Sequence, residues 1–183
     1  MGDAGRVSVS IRLAQPADAE VMQRIEVDAG ERFREIGLDA IADDAPPDTA
    51  ILLAHVDDGT AWVAVDAGAP SCDRLIGFAL ASEVDGEGHI DQVSVLGSRA
   101  GEGLGRRLLQ AVEEWAIARG FGAMTLTTFC DVAWNGPYYR RLGYVDLEEA
   151  ELHGELAAIR ARERALGLDV APRVAMRKPL TSA

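Results

Sequence analysis

The sequence predicts a mixed α/β domain. Three observations carry that prediction. Several short runs alternate apolar and polar residues at period two, others repeat apolar residues at helical spacing, and one apolar strand passes through a glycine-rich bend directly into an amphipathic helix. With 183 residues, 48% hydrophobic and 26% charged, the chain has an ordinary globular composition and enough length for one core.

Taken in order, Val7, Val9, Ile11 and Leu13 alternate as a first strand. Pro16 and Asp18 open a helix with Val21, Met22, Ile25 and Ala29 on one face. Gly30 is expected to break it, leaving a second short helical piece through Phe33 and Ile36 that ends near Gly37. Residues 39–48, with Pro46-Pro47, read as a loop, and 51–56 as a helix packed on the core. Two antiparallel strands follow, 62–65 and 75–80; a loop over 85–88 leads into a strand beginning at His89.

After the glycine bend, Leu104, Leu108, Val112, Trp115 and Ala116 form one helical stripe that Gly120 closes. Residues 124–129 form a strand. Asn135 is a candidate N-cap for a short helix that accepts Pro137 in its first turn and stops at Gly143. A strand starts at Tyr144, a helix spans 151–166 with a charged face read as solvated, and 173–177 is a last strand.

Composition excludes several classes. A net charge of −12 argues against general binding to nucleic acid or anionic membrane. Two cysteines, Cys72 and Cys130, make neither a disulfide framework nor a four-ligand zinc site, and His55, His89 and His153 lack metal-ligand spacing. Cys130 reads as a small buried residue, since no basic partner stands at defined spacing. The start, MGDAGRVSVS, lacks a signal peptide's apolar core, and no run reaches membrane-spanning length, so the expected compartment is cytoplasmic and reducing.

The chemistry gathers at two places. In the stretch HIDQVSVLGSRAGEGLGRRLL, Gly101, Gly103 and Gly105 turn a strand into a helix. Glycines free backbone N–H groups to face an anion, and the helix adds its positive end. Arg99, Arg106 and Arg107 surround the bend, with Glu102 among them. The dinucleotide fingerprint fails at Arg106, and no Gly-Lys-Ser/Thr is present. The spacing from Ala100 to Gly105 resembles the Q/R-x-x-G-x-G/A pyrophosphate loop of the GCN5-related N-acetyltransferases (the GNAT family). Ala100 departs from its first position, where Arg99 is a stand-in. Farther on, Asn135-Gly136-Pro137-Tyr138-Tyr139-Arg140-Arg141-Leu142-Gly143-Tyr144 ends like the family's Y-x-x-L-G-F/Y signature, and Thr127-Thr128-Phe129 with Trp134-Asn135 looks like a bacterial subgroup.

The resemblance covers about residues 7–143. It implies a GNAT-like acyl-CoA N-acyltransferase fold, a mostly antiparallel twisted central sheet flanked by helices. The expectation is a single N-acetyltransferase domain over 1–183, with 150–178 as a family-variable extension that covers the acceptor pocket or makes a homodimer contact. The implied activity moves an acetyl group from acetyl-coenzyme A to a primary amine of a small molecule or peptide by direct attack, without a metal. The alternatives are a non-catalytic acyl-coenzyme A sensor or regulatory module and a binder of another phosphate ligand.

For the cofactor, the resemblance implies the strand edge Val93, Ser94 and Val95, the loop Arg99, Ala100, Gly101, Glu102, Gly103, Leu104, Gly105 and Arg106, and then Asn135 and Tyr139. Tyr139 is the expected general acid toward the departing thiolate, because a phenol of pKa about 10 is protonated at neutral pH. Tyr138 is assigned to packing, and Trp134 is either an acceptor-site wall or a packing anchor. His89 stands eleven residues before Ala100, where some relatives place a catalytic glutamate, and is the candidate base, with Glu87, Asp91 and a path through water as alternatives. Residues 30–37, including Glu31, Phe33 and Arg34, are expected to shape the acceptor pocket.

Overall fold

The computed structural model describes residues 9–70 and 74–181; the expectations for Val7 and Cys72 lie outside them. The strands form a seven-stranded, mostly antiparallel sheet in the order β1-β2-β3-β4-β5-β7-β6, flanked by helices. They are β1 (Val9–Leu13), β2 (Ala61–Asp66), β3 (Leu75–Val84), β4 (Glu87–Val95), β5 (Ala123–Phe129), β6 (Val145–Asp146) and β7 (Arg173–Pro179). The helices are α1 (Ala19–Arg34), α2 (Asp39–Ala42), α3 (Thr49–Asp57), α4 (Leu104–Ala118), α5 (Gly136–Arg141) and α6 (Gly154–Ala165). The chain divides into two compact units, one of residues up to Leu80 with Gln92–Val112, the other of Ala81–Asp91 with the chain from Glu113 on.

In the first unit, β1 pairs with β2 and β2 with β3, both antiparallel. Met22 and Ile25 of α1 and Leu52 of α3 cover Val63 and Phe78 of this part of the sheet. Gly30 does not break α1, which continues to Arg34. A glycine costs a helix about 1 kcal/mol relative to alanine but does not end it. Here α2 passes close: a Cβ at position 30 would stand 3.6 Å from the Ala42 carbonyl oxygen. The segment 39–48 is accordingly not all loop, since α2 occupies its start.

In the second unit, β4 and β5 are parallel, joined by α4, and their pairing covers only Gly88 to Ile90 against Met124 to Leu126. β5 and β6 both pair antiparallel with β7. The expected 85–88 loop shrinks to a tight turn at Asp85 and Gly86, with φ +53° and +77°, and both strands run longer for it. Asp85 also accepts the backbone N–H groups of Glu155 (2.8 Å) and Leu156 (3.0 Å), capping α6 from the turn. The charges of α6 are not all solvated. Arg160 is 5% exposed and binds Glu163 and Asp169, while Glu163 also accepts from Thr127 and Arg173. Burial disfavours the Glu163 charge, yet these donors outweigh it and hold the carboxyl below its usual range.

Candidate functional site

The first unit carries the glycine corner. After β4 a short turn, Gly97–Arg99, leads through Ala100 to residues 101–103 and then α4. Gly101 and Gly103 have φ of +83° and +77°, the left-handed region that L side chains resist. A Cβ at either would meet nothing within 4 Å, so the glycines serve the backbone's conformation and the surface outside it is open. Among the described residues nothing accepts the N–H groups of 101–106; the first helical bond runs from Arg107 N to Gly103 O at 3.2 Å. The corner therefore presents a run of unsatisfied donors at the head of a 15-residue helix.

The arginines around it differ in what they do. Arg99 donates from Nε and Nη2 to both oxygens of Glu102 at 2.8 and 2.9 Å, and from Nη1 to Asp66 at 2.8 Å. Both carboxyls are held below their usual range by Arg99, and the guanidinium is firmly charged. Arg107 donates to the Val9 carbonyl at 2.7 Å, and Arg106 is exposed. Asp28 of α1 reaches the start of the turn, accepting the Gly97 N–H at 2.6 Å. Beside these residues lies a cavity of about 390 Å³ lined by Val21, Arg24, Ile25, Ala69, Leu75, Ile76, Leu96, Ser98 and Arg99.

Past Ile90, β4 continues with Gln92, Val93, Ser94 and Val95, and no strand pairs with that stretch on the β5 side among the described residues. Two of its side chains are occupied on the α1 side. Ser94 Oγ and Gln92 Nε2 both donate to the carboxylate of Glu26, Gln92 at 2.8 Å. Sequence reasoning passed over Glu26. The signal was present: it lies four residues after buried Met22 and one after buried Ile25, a charge inside an apolar stripe.

The second unit carries the tyrosines and His89. Tyr139, on α5, is 9% exposed, with its ring edge-on to Tyr138 and Tyr144 at 5.5 and 5.6 Å between centroids. Burial raises its pKa well above the ordinary phenol value, so the hydroxyl keeps its proton. Tyr144 is buried in turn, its ring against Lys178 and its hydroxyl pKa raised by burial and by Glu113.

Asn135 stands at the N-cap position of α5, but its side chain makes no cap bond. Its Nδ2 donates to Thr128 Oγ1 at 2.8 Å, and its buried Oδ1 has no partner among the described residues. Cys130 is half-buried and receives Arg140 at Sγ (3.3 Å).

His89 is 3% exposed, and Nδ1 lies 2.8 Å from Thr125 Oγ1, which donates to the Gly88 carbonyl at 3.3 Å. That arrangement puts the proton on Nδ1 and the lone pair on Nε2. Burial lowers the pKa, and Asp91 and Glu163 only partly offset it. Glu87 is held by Arg177, and Asp91 accepts Ser82 Oγ at 3.0 Å. Among the described residues no group of three or more His, Cys, Asp and Glu could hold a metal ion, and no helix is long and apolar enough to cross a membrane.

Comparison with known proteins gives a family. A model described as the acetyltransferase (GNAT) family matches residues 22–144. Among solved structures, the chain is similar to N-acetylglutamate synthase from Neisseria gonorrhoeae, complexed with coenzyme A and N-acetyl-glutamate, at 20% identity and a TM-score of 0.69. That alignment takes in 98% of this chain but 37% of the synthase, so the chain spans just over a third of that protein's length. It is also similar to the ribosomal-protein-S18-alanine N-acetyltransferase from Escherichia coli, at 15% identity and a TM-score of 0.64, with 96% of each chain covered. A GNAT acetyltransferase from Staphylococcus aureus gives 11% identity and a TM-score of 0.70, with 95% of this chain and 100% of that one covered. At these identities the likenesses establish a common fold.

Proposed function

Because the chain belongs to the acetyltransferase (GNAT) family, we propose that it transfers an acetyl group from acetyl-coenzyme A to a primary amine of a small molecule or peptide. The observation that carries this reading is the open corner at residues 101–106, whose N–H donors and helix end suit a diphosphate. The coenzyme A bound in the Neisseria synthase supports the same ligand class.

The remaining parts fit the rest of that ligand. The strand edge from Gln92 to Val95 offers backbone groups to the amides of a pantetheine arm, as an added strand would. Asn135 Oδ1, a buried acceptor without a donor, suits one of those amide N–H groups. In the transfer the amine nitrogen attacks the thioester carbonyl carbon. The backbone N–H near Val95 stabilises the resulting oxyanion, and the C–S bond then breaks. Tyr139 gives its proton to the departing thiolate; burial keeps that proton on the phenol but makes it a weaker acid, so the transfer depends on position.

The test is thiol release from acetyl-coenzyme A over a panel of amines, amino acids and peptides, with coenzyme A affinity measured by calorimetry. Turnover is expected with at least one amine class, and Tyr139→Phe should lower kcat by about 10²-fold with little change in coenzyme A affinity. Binding without turnover on any amine would sink the transferase reading in favour of a sensor.

A further inference from the structure

Glu26 is a largely buried carboxylate to which the described residues supply no ion-pair partner. It projects from α1 onto β4, where Gln92 Nε2 donates to Oε1 at 2.8 Å and Ser94 Oγ donates to Oε2. Gln92 also reaches Ser94 Oγ at 3.0 Å, so the three side chains form one network. Both partners from β4 are neutral. The charged group that faces Glu26 from the neighbouring α2–α3 connection is Asp44, of the same sign. Among the described residues, the groups that act on Glu26 include no lysine, arginine or histidine.

That is an unusual arrangement. A carboxylate withdrawn from water is ordinarily paired or neutralised. Burial raises the Glu26 pKa and Asp44 raises it further, while the Ser94 and Gln92 donors work in the opposite direction and favour the charged form. A group in that balance gains most from a cation arriving from outside. Glu26 retains partial exposure through which one can reach it.

Its placement on the strand decides which cation. Ser94 lies between Val93 and Val95, in the stretch whose backbone edge is offered above to the thioester end of the donor. The carboxylate is thus tied by one hydroxyl to the place where an attacking amine must lose its proton. The other candidates on that strand are committed elsewhere. His89, five residues earlier, is buried on Thr125; Glu87 is paired with Arg177; Asp91 accepts Ser82.

We propose that Glu26 binds the primary ammonium of the acceptor and takes its proton, with Ser94 and Gln92 as the positioning residues that hold the carboxylate. The inference rests on the acetyl-transfer reading. The step balances: one N–H bond of the ammonium breaks and an O–H bond forms on Glu26. The freed lone pair makes the N–C bond to the acetyl carbon, the C–S pair leaves on sulfur, and the thiolate takes its proton from Tyr139. The second proton of the new amide nitrogen then passes through solvent to the phenolate and restores the tyrosine, and Glu26 returns its proton to water.

The test is the pH dependence of kcat/KM with one amine whose turnover by the wild type is established, so that the amine's own ionisation is common to all variants. Melting temperature and coenzyme A affinity are measured alongside. Glu26→Gln is expected to lower kcat/KM by about 10²-fold and to remove the enzyme's acid limb, with coenzyme A affinity within twofold of wild type, by the order of magnitude such a contact would otherwise carry. Ser94→Ala removes a donor that favours the charged form, so its acid limb moves to higher pH while turnover persists. This variant carries the test should Glu26→Gln fail to fold. An acid limb unchanged in both variants overturns the inference and leaves acetyl transfer standing. A limb that survives Glu26→Gln but vanishes in His89→Gln overturns it and assigns the base to the strand. No turnover by the wild type on any amine overturns the transfer reading itself, and this inference with it.

Discussion

Gly103→Ala isolates the conformational requirement of the corner. Gly103 has φ of +77°, and an added Cβ would meet nothing within 4 Å, so the substitution brings torsional strain without a clash. For an L residue in the left-handed region that strain is about 1–2 kcal/mol. Residues 101–103 are exposed; Arg99 braces Glu102, but nothing packs against position 103 itself to hold its conformation. The strained residue therefore relaxes toward negative φ in the free protein and turns its neighbouring N–H groups off the anion. Binding must then restore the left-handed form, which weakens coenzyme A by about 5- to 30-fold, since 1.4 kcal/mol is a factor of ten.

Gly120→Ala is the matched control. Its φ of +82° and open surroundings give the same torsional cost, but it closes α4 at the end opposite the corner. Each kcal/mol moves the melting point of a chain this size by about 2–4 °C, so Gly120→Ala should melt lower and bind coenzyme A as wild type does. Calorimetric titration of coenzyme A into both variants is the assay. Equal affinity for both, or equal loss in both, would refute the argument that the corner's backbone conformation aims donors at the diphosphate.

Two further substitutions test the charges. Three of the five N–H donors of Arg99 go to Glu102 and Asp66, an arrangement expected of a strut that fixes the corner. Asp66→Asn should then weaken coenzyme A as much as Arg99→Ala does, and the double variant no more than either; a silent Asp66→Asn beside a tenfold loss in Arg99→Ala would place the guanidinium on the phosphate. Glu163→Gln leaves Arg160 and Arg173 without their shared carboxylate and should destabilise the fold by on the order of 3 kcal/mol in thermal or urea unfolding. Because the folded Glu163 pKa lies below its unfolded value near 4.5, its contribution is present above that pH and disappears as pH falls through the folded pKa. The wild-type and Glu163→Gln stability curves should therefore converge in acid, and a constant gap between them would contradict the assignment.

The parts legible from the sequence were those set by local chemistry. The period of Leu104, Leu108 and Val112 defined α4, and left-handed Gly101 and Gly103 marked the corner, because glycine tolerance and helical periodicity act within a few residues. What escaped depended on partners distant in the chain. Gly30 sits inside α1 because α2 approaches it, a contact invisible to a helix-breaking rule. Glu163 only interrupts the apolar stripe of a helix whose charges read as a solvated face; Thr127 and Arg173, 36 and 10 residues away, close around it.

Glu26 escaped for the same reason: its donors on β4 are 66 and 68 residues further on. A spacing motif records what a strand or loop needs from its own neighbours, which is why the glycine corner is written so plainly. The group that deals with the acceptor's proton answers to a different constraint, since any element that packs over the strand can deliver a carboxylate to the same spot. Glu26 and Glu163 share one mark in the sequence, an acidic residue at an apolar register position of an amphipathic helix, and the structure separates them by their partners. Glu163 finds two arginines, whereas among the described residues Glu26 finds only neutral donors, and that unmet charge makes it the candidate for an incoming ammonium.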